Sequence, residues 1–247
     1  MKCAIMQPTF LPWLGWFDLA DQVDVMVLLD DVAFSKQSWQ QRNRIRTPNG
    51  LEFLSVPVKT SGRLGQKILD SELAALPYVA KMLKSLHGNY AKSPFYTTLI
   101  DDFAATIETA AESNRLVELN CALISWMAGR LGVSTPMVRA SKIAAGGERG
   151  EHVAAICEYV GANYYLSPVG AEDYLIEDKD AFDRREIDIG LQVYVHPEYM
   201  QRFTPFMPYA CALDLIFNTG PSAPDVMRTG RRSAIALNVN LPIIIKE

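Results

Sequence analysis

Apolar runs, and the residues that interrupt them, divide the chain into a repeating pattern. Cys3–Met6 is long enough for one buried strand. Pro8 and Pro12 then exclude a helix interior or a central strand over the next residues. After Gly15, Trp16–Ala20 opens a helix, and a second apolar run, Val23–Leu29, ends in Asp30-Asp31. Strand, proline and glycine loop, short helix and strand, in that order, predict a βαβ unit. Thr47-Pro48-Asn49-Gly50 predicts a hairpin turn in which Pro48 fixes φ and Asn49-Gly50 supply positive φ. Its strands are expected at Arg44–Thr47 and Leu51–Lys59, with Arg44 and Arg46 opposite Leu51–Phe53.

Helical spacing takes over from about residue 76 to 131. Pro77 suits the first turn of a helix through Leu86, and Leu86–Tyr90 is expected to break it. Pro94–Tyr96 starts a second helix, which carries Ile100, Phe103 and Ile107. A third covers Arg115–Leu131, with Leu119, Leu123, Trp126 and Met127 on its core face, and Gly132 ends it. Strand and helix then alternate again. Strands are expected at Pro136–Ala140, Asn163–Leu166 and Leu191–Val195, and helices at Glu151–Val160 and Ala181–Ile187. Leu241–Ile245 reads as an edge strand. Together these elements predict one α/β domain over residues 1–247, with a parallel-sheet, Rossmann-like core and an inserted helical segment about 76–131.

In open parallel sheets ligands bind at the carboxyl ends of the strands. That rule puts Gln7, Asp30, Asp31, Ser167 and Tyr174 on the ligand side. Lys36, Trp39, Arg42, Asn43, Arg44 and Arg46 follow Asp31 closely, so the expected ligand is anionic, with tryptophan platforms at Trp13 and Trp39. The loop with two prolines, two tryptophans and Gly15 is costly to expose as a mere linker. Lys59 ends the second hairpin strand, and Ser61–Gly65 reads as an ordinary basic surface loop. Asp30 and Asp31 could hold Mg2+ against the phosphates of a nucleotide, or pair with Arg42 or Arg44. His196 is the candidate acid or base, because its unperturbed pKa lies near neutrality. Tyr199 and Gln201, two apart, point to one side of an extended chain. Asp214 and Asn218, four apart, share a helix face.

Composition narrows the classes. A hydrophobic fraction of 49% and a charged fraction of 21% fit a globular chain of 247 residues. A net charge of -4 disfavours nonspecific nucleic-acid binding. Cys3, Cys121, Cys157 and Cys211 lack metal or disulfide spacing and read as buried thiols. No apolar run spans a membrane, and Gln7-Pro8 interrupts any signal-peptide core, so a cytoplasmic setting is expected. A G-x-G-x-x-G fingerprint, a Walker A loop, a zinc cluster and a G-x-S-x-G elbow are all missing, which excludes the commonest dinucleotide, P-loop and hydrolase signatures.

Three stretches carry a resemblance. They are Gln7 to Phe17, Leu29 to Ile45, and Leu54 to Lys59, joined by Ser-Pro-x-Gly-x-x-x-Tyr at 167–174 and His-Pro-x-Tyr-x-Gln at 196–201. Together they resemble the WbqC-like protein family, most strongly over residues 5–59 and 163–220. The resemblance implies a setting in bacterial surface-polysaccharide and O-antigen biosynthesis. The function expected there is an enzyme acting on a nucleotide-linked sugar, by N-acyl or aminoacyl transfer to an amino sugar. In that scheme Arg42, Arg44 and Lys59 hold phosphates, a tryptophan stacks on a ring, and His196 takes a proton from the attacking amine. The alternative is a non-catalytic carbohydrate-binding or assembly partner of a glycosyltransferase. The opening strand, loop and helix also resemble nucleotidylyltransferase-like proteins, but Pro12-Trp13-Leu14-Gly15 stands where those carry a His-x-x-His loop.

Overall fold

The computed structural model describes residues 1–74 and 77–237. Strand β1, Lys2–Met6, is the centre of the sheet. Helix α1, Leu14–Asp21, and strand β2, Val25–Leu28, complete the expected first unit, and β2 pairs parallel with β1 through Cys3↔Val25 to Met6↔Leu28. A separate hairpin follows, made of β3, Arg42–Thr47, and β4, Gly50–Ser55. Arg44 lies opposite Phe53 and Arg46 opposite Leu51, as the sequence predicts. The turn itself differs: Gly50 pairs with Thr47 inside the ladder, so Pro48 and Asn49 form the tip. The Thr47 hydroxyl stabilises it, accepting from the Asn49 N–H and donating to the Gly50 carbonyl.

Three helices then pack together: α2, Tyr78–Tyr90, α3, Tyr96–Ala111, and α4, Leu116–Arg130. Helix α2 runs through the expected break at His87, whose ring packs edge-on against Tyr96. The sheet resumes with β5, Met137–Arg139, helix α5, Arg149–Tyr159, and β6, Tyr164–Pro168. Short helices α6, Glu172–Glu177, and α7, Lys179–Asp183, lead into β7, Asp188–Gln192. Helix α7 ends earlier, and β7 starts earlier, than the pattern of apolar residues predicts. Helices α8, Ala212–Thr219, and α9, Ala223–Thr229, precede β8, Ile235–Ala236. The edge strand expected at Leu241–Ile245 lies outside the described residues; β8 pairs antiparallel with β7.

The sheet order is β5-β2-β1-β6-β7-β8, with every pair parallel except the last. Numbered along the chain, the parallel strands run 3-2-1-4-5, the Rossmann order, with its switch point between β1 and β6. Successive strand residues face opposite layers. Ala4, Met26, Leu28 and Leu166 pack with α1, the three helices and α8. Cys3, Ile5, Val27, Tyr165 and Leu191 face α5 and α7. Cys3 and Cys157 meet there with their sulfurs 3.4 Å apart, both fully buried. Among the described residues no helix is long and apolar enough to cross a membrane.

A candidate ligand cleft at the switch point

Two adjoining cavities open beyond the carboxyl end of β1. One, of about 230 Å³, lies among Trp13, Trp16, Trp39, Arg44 and Tyr209. The other, of about 300 Å³, sits at the switch point among Gln7, Gln40, Tyr165, Pro168 and Tyr174. Met6, Thr9 and Trp39 border both, so these three together stand between them. The larger of these is where the strand order alone places a ligand.

Local folding explains how each wall is held. Trp13 folds its indole back over the first turn of α1; a β-carbon on Gly15 would overlap its six-membered ring. Gly15 is therefore a packing residue beneath Trp13, and its carbonyl accepts from the Gln192 side chain. Asn43 donates to the carbonyls of Phe10 and Leu11, and its oxygen accepts from the Arg44 N–H. It pins the proline loop against the hairpin. The loop carrying Trp39 is tied on three sides. The Phe10 N–H donates to the Trp39 carbonyl, the Ser35 N–H donates to Gln40, and Gln40 donates to the Gln7 side-chain oxygen. That last bond leaves the Gln7 amide hydrogens directed to no described partner.

Arg44 lies over Trp39, with its guanidinium carbon 5.4 Å from the ring centroid, and has no carboxylate partner among the described residues. Arg42 lies over Phe53, which in turn packs 5.9 Å from Trp39. Trp39, Phe53 and Tyr209 are all exposed. Aromatic faces and two guanidinium groups with no carboxylate partner among the described residues thus share one surface. Arg46 differs: it is buried and donates to the carbonyls of Thr47 and Pro205. Lys36 is exposed on the loop before Trp39. Lys59 is away from the cleft, where it and Arg63 pair with Glu72 and hold that carboxyl down at about 2.

The two aspartates do not meet as a metal-binding pair, nor do they pair with Arg42 or Arg44. Asp30 is fully buried and accepts from Arg139 Nε at 2.6 Å, the Ser141 N–H at 2.9 Å and the Ser141 hydroxyl at 2.8 Å. With both oxygens engaged by protein donors, Asp30 does not fit a Mg2+ ligand. Asp31 pairs with His152 Nε2 at 3.1 Å, and His152 Nδ1 lies 3.2 Å from the Gly146 carbonyl. His152 was not singled out by its neighbours in sequence. Its place in the first turns of α5 carried the signal, because a helix that follows a parallel strand starts on the carboxyl edge. Among the described residues no three histidine, cysteine or carboxylate side chains gather as a metal site.

His196 sits behind the smaller cavity. Its ring is stacked on Trp13 at 6.3 Å and meets Tyr209 edge-on at 5.4 Å. A carbonyl can only accept, so Nδ1 carries the proton that bonds to the Pro197 oxygen at 2.9 Å. Nε2 is buried without a partner among the described residues. Burial lowers this imidazole to about 4, outweighing the Pro197 bond, so it is neutral at pH 7. The rest of its block serves a knot inside the core. Tyr199 and Gln201 both donate to Asp214 Oδ2 at 2.8 Å, and Asn218 donates to the Asp214 carbonyl. Burial raises the pKa of Asp214 against those hydrogen bonds. Tyr199, Gln201, Asp214 and Asn218 are thus placed as supports of α8, away from the cavity linings. Ser167 is fully buried beneath Tyr165, while Tyr174 lines the switch-point cavity and hydrogen-bonds Tyr165. Thr9, Trp16, Gln40, Tyr165 and Tyr209 are lining residues that the strand-end rule did not single out.

Fold and site together define an α/β protein of Rossmann strand order, with an aromatic, arginine-bearing cleft at the switch point. The chain belongs to the WbqC-like protein family, whose family model matches residues 7–226. It is 32% identical over 232 residues to the uncharacterized protein Rv1507c of Mycobacterium tuberculosis, covering 94% of this chain and 99% of that one. No solved structure matches it.

Proposed function

We propose that this protein binds a nucleotide-linked sugar in the assembly of bacterial surface-polysaccharide, or O-antigen, precursors. The observation that carries the reading is the pairing of Trp13, Trp39 and Tyr209 with the unpaired guanidinium of Arg44 at the carboxyl edge. Aromatic faces hold bases and sugar rings, and a free guanidinium holds phosphate. In the enzymatic form of the reading, an acyl or aminoacyl group passes to the amino group of the bound sugar. Mg2+ would enter with the nucleotide phosphates, since Asp30 is held by Arg139 and Ser141, and Asp31 is held through one oxygen by His152.

One observation favours the second reading, a non-catalytic carbohydrate-binding or assembly partner. Among the described residues, those lining the two cavities include no aspartate, glutamate, histidine, lysine or cysteine. Tyr165, Tyr174 and Tyr209 are then the titratable side chains in the lining besides Arg44, and burial raises the pKa of Tyr174. Calorimetry with nucleotide sugars tests the shared reading. Trp39→Ala and Arg44→Ala should each weaken binding by roughly ten- to a hundredfold; unaltered affinity in both would sink it. Mass spectrometry of the sugar after incubation with acyl-CoA, or with ATP and amino acids, separates the two forms. A mass increase on the sugar marks the enzyme, and binding without change marks the partner.

A further inference from the structure

The β3–β4 hairpin has one face turned to the core and one that the rest of the chain covers only in part. Side chains two apart on a strand share a face, and directly opposed residues share it too. Asn43, Ile45 and Leu54 are buried and hold the inner face. Arg42, Arg44 and Arg46 on β3, with Leu51, Phe53 and Ser55 on β4, form the outer one. At the Arg46 end that face is closed, because the Pro205 carbonyl accepts from Arg46 and the Phe203 ring lies against it. At the Arg42 end it is bare: Phe53 is 50% exposed, and Ser55 is exposed beside it. Glu52, the one carboxylate in the hairpin sequence, lies opposite Ile45 and so points away from this face.

Trp39 meets the same end, 5.9 Å from Phe53 and itself 47% exposed. Each of these rings has a guanidinium against it, Arg44 at 5.4 Å from the Trp39 centroid and Arg42 at 4.3 Å from that of Phe53. Elsewhere Arg130, Arg139, Arg185 and Arg228 are paired with carboxylates, whereas Arg42 has no such partner among the described residues. Trp39 borders both cavities, while Arg42 and Phe53 line neither, so the row of rings and cations continues outward from the cleft. The Trp39 and Phe53 rings are tilted by 44° to each other, so one planar group cannot lie flat on both. Two rings joined by a flexible linkage can follow them.

Resting on the carbohydrate part of the proposed function, we infer that Trp39, Phe53 and Arg42 form a second subsite, outside both cavities, that takes an acidic saccharide. The apolar C–H faces of neighbouring sugar rings lie against Trp39 and Phe53, and a carboxylate or phosphate on the saccharide pairs with Arg42.

Titration calorimetry on the full chain, with the Trp39 indole N–H followed by NMR, tests the assignment. The probes are digalacturonate and glucose 6-phosphate, with digalactose and glucose as neutral counterparts, and UDP-N-acetylglucosamine for the cavities. At least one acidic saccharide should bind about tenfold or more tighter than its neutral counterpart, the factor that corresponds to one charged hydrogen bond, and should move the Trp39 signal. Which of the two does so names the anion. Arg42→Gln should erase that preference, Arg42→Lys should restore part of it, and Phe53→Ala should weaken the acidic saccharide by a similar factor. Circular dichroism and melting midpoints of these outer-face variants should match wild type. Their affinity for UDP-N-acetylglucosamine should hold within about twofold. Equal affinity for acidic and neutral saccharides, or no saccharide bound at all, overturns the subsite. So does an Arg42→Gln variant that loses UDP-N-acetylglucosamine as strongly as the acidic saccharide, because Arg42 then contacts the nucleotide phosphates. Acidic saccharide bound in the expected pattern by a chain that binds no nucleotide sugar leaves the subsite standing and defeats the nucleotide-sugar reading instead.

Discussion

Replacing Asp30 distinguishes a carboxylate that acts on ligand from one that holds the fold. The Asp30→Ala variant removes an acceptor of three hydrogen bonds from a site with no solvent exposure. Truncating one partner of a buried ion pair costs about 3–5 kcal/mol. Two local features place this site near the lower end. The Arg139 side chain is 24% exposed, and it keeps Glu118 at 2.5 Å. Ser141 loses acceptors for both its N–H and its hydroxyl, which prevents the cost from falling much further. We expect a loss of about 3 kcal/mol in urea unfolding, or a midpoint lowered by roughly 6–12 °C for a chain of this size. Asp30→Asn keeps one acceptor oxygen and should lose less. Nucleotide-sugar affinity, measured well below the lowered midpoint, should match wild type within about twofold. Wild-type stability combined with lost binding or turnover would refute this reasoning and return Asp30 to the ligand.

Gly15→Ala should push the Trp13 indole off α1, costing about 1–3 kcal/mol by overpacking, and should shift tryptophan fluorescence and weaken ligand binding together. His196 supplies a pH dependence. Its folded pKa, about 4, lies below the unfolded value of about 6.5, so the unfolded chain binds more protons between those limits. Stability should be unaffected by this group above about pH 6.5 and should fall as pH drops to 4, by up to about 3 kcal/mol. His196→Asn should flatten that slope in urea melts from pH 4.5 to 7.5, and an unchanged slope would contradict it. Lys59→Ala removes an exposed pair with Glu72 and should leave both nucleotide-sugar affinity and the melting midpoint where they are.

The opening unit was legible because its signals are local: an apolar run, two prolines, a glycine and a second run. Helical spacing likewise marked α4 to within one residue at each end, and the start of α3 to within two. Strand order was not legible, since the place of β6 beside β1 depends on crossovers that leave no local mark. The same division holds at the cleft. Gln7, Trp13, Trp39, Arg44 and Tyr174, to which the strand-end rule and residue type both point, line the two cavities. Asp30, Asp31 and Lys59 share that neighbourhood in sequence, yet their partners Arg139, His152 and Glu72 lie 109, 121 and 13 residues away. Sequence spacing shows that a charge is present, and only the fold shows which countercharge reaches it. The His-Pro-x-Tyr-x-Gln block illustrates the other limit: a polar, motif-like stretch whose Tyr199 and Gln201 are turned inward to satisfy one buried carboxylate.

Asn120, fully buried on α4, donates from one amide group to the carbonyls of Pro8 at 2.7 Å and Gln40 at 2.8 Å. Those two carbonyls belong to the loops that bring Trp13 and Trp39 to the cleft. A miniaturised protein made by excising 77–131 and splicing the sheet back together would therefore be no neutral trimming of an ornament. It would expose two loop carbonyls and free both aromatic walls at once. Anyone grafting this cleft onto another scaffold has to carry α4 with it, whereas α2 and α3, which the described hydrogen bonds link to neither loop, are the natural places to vary.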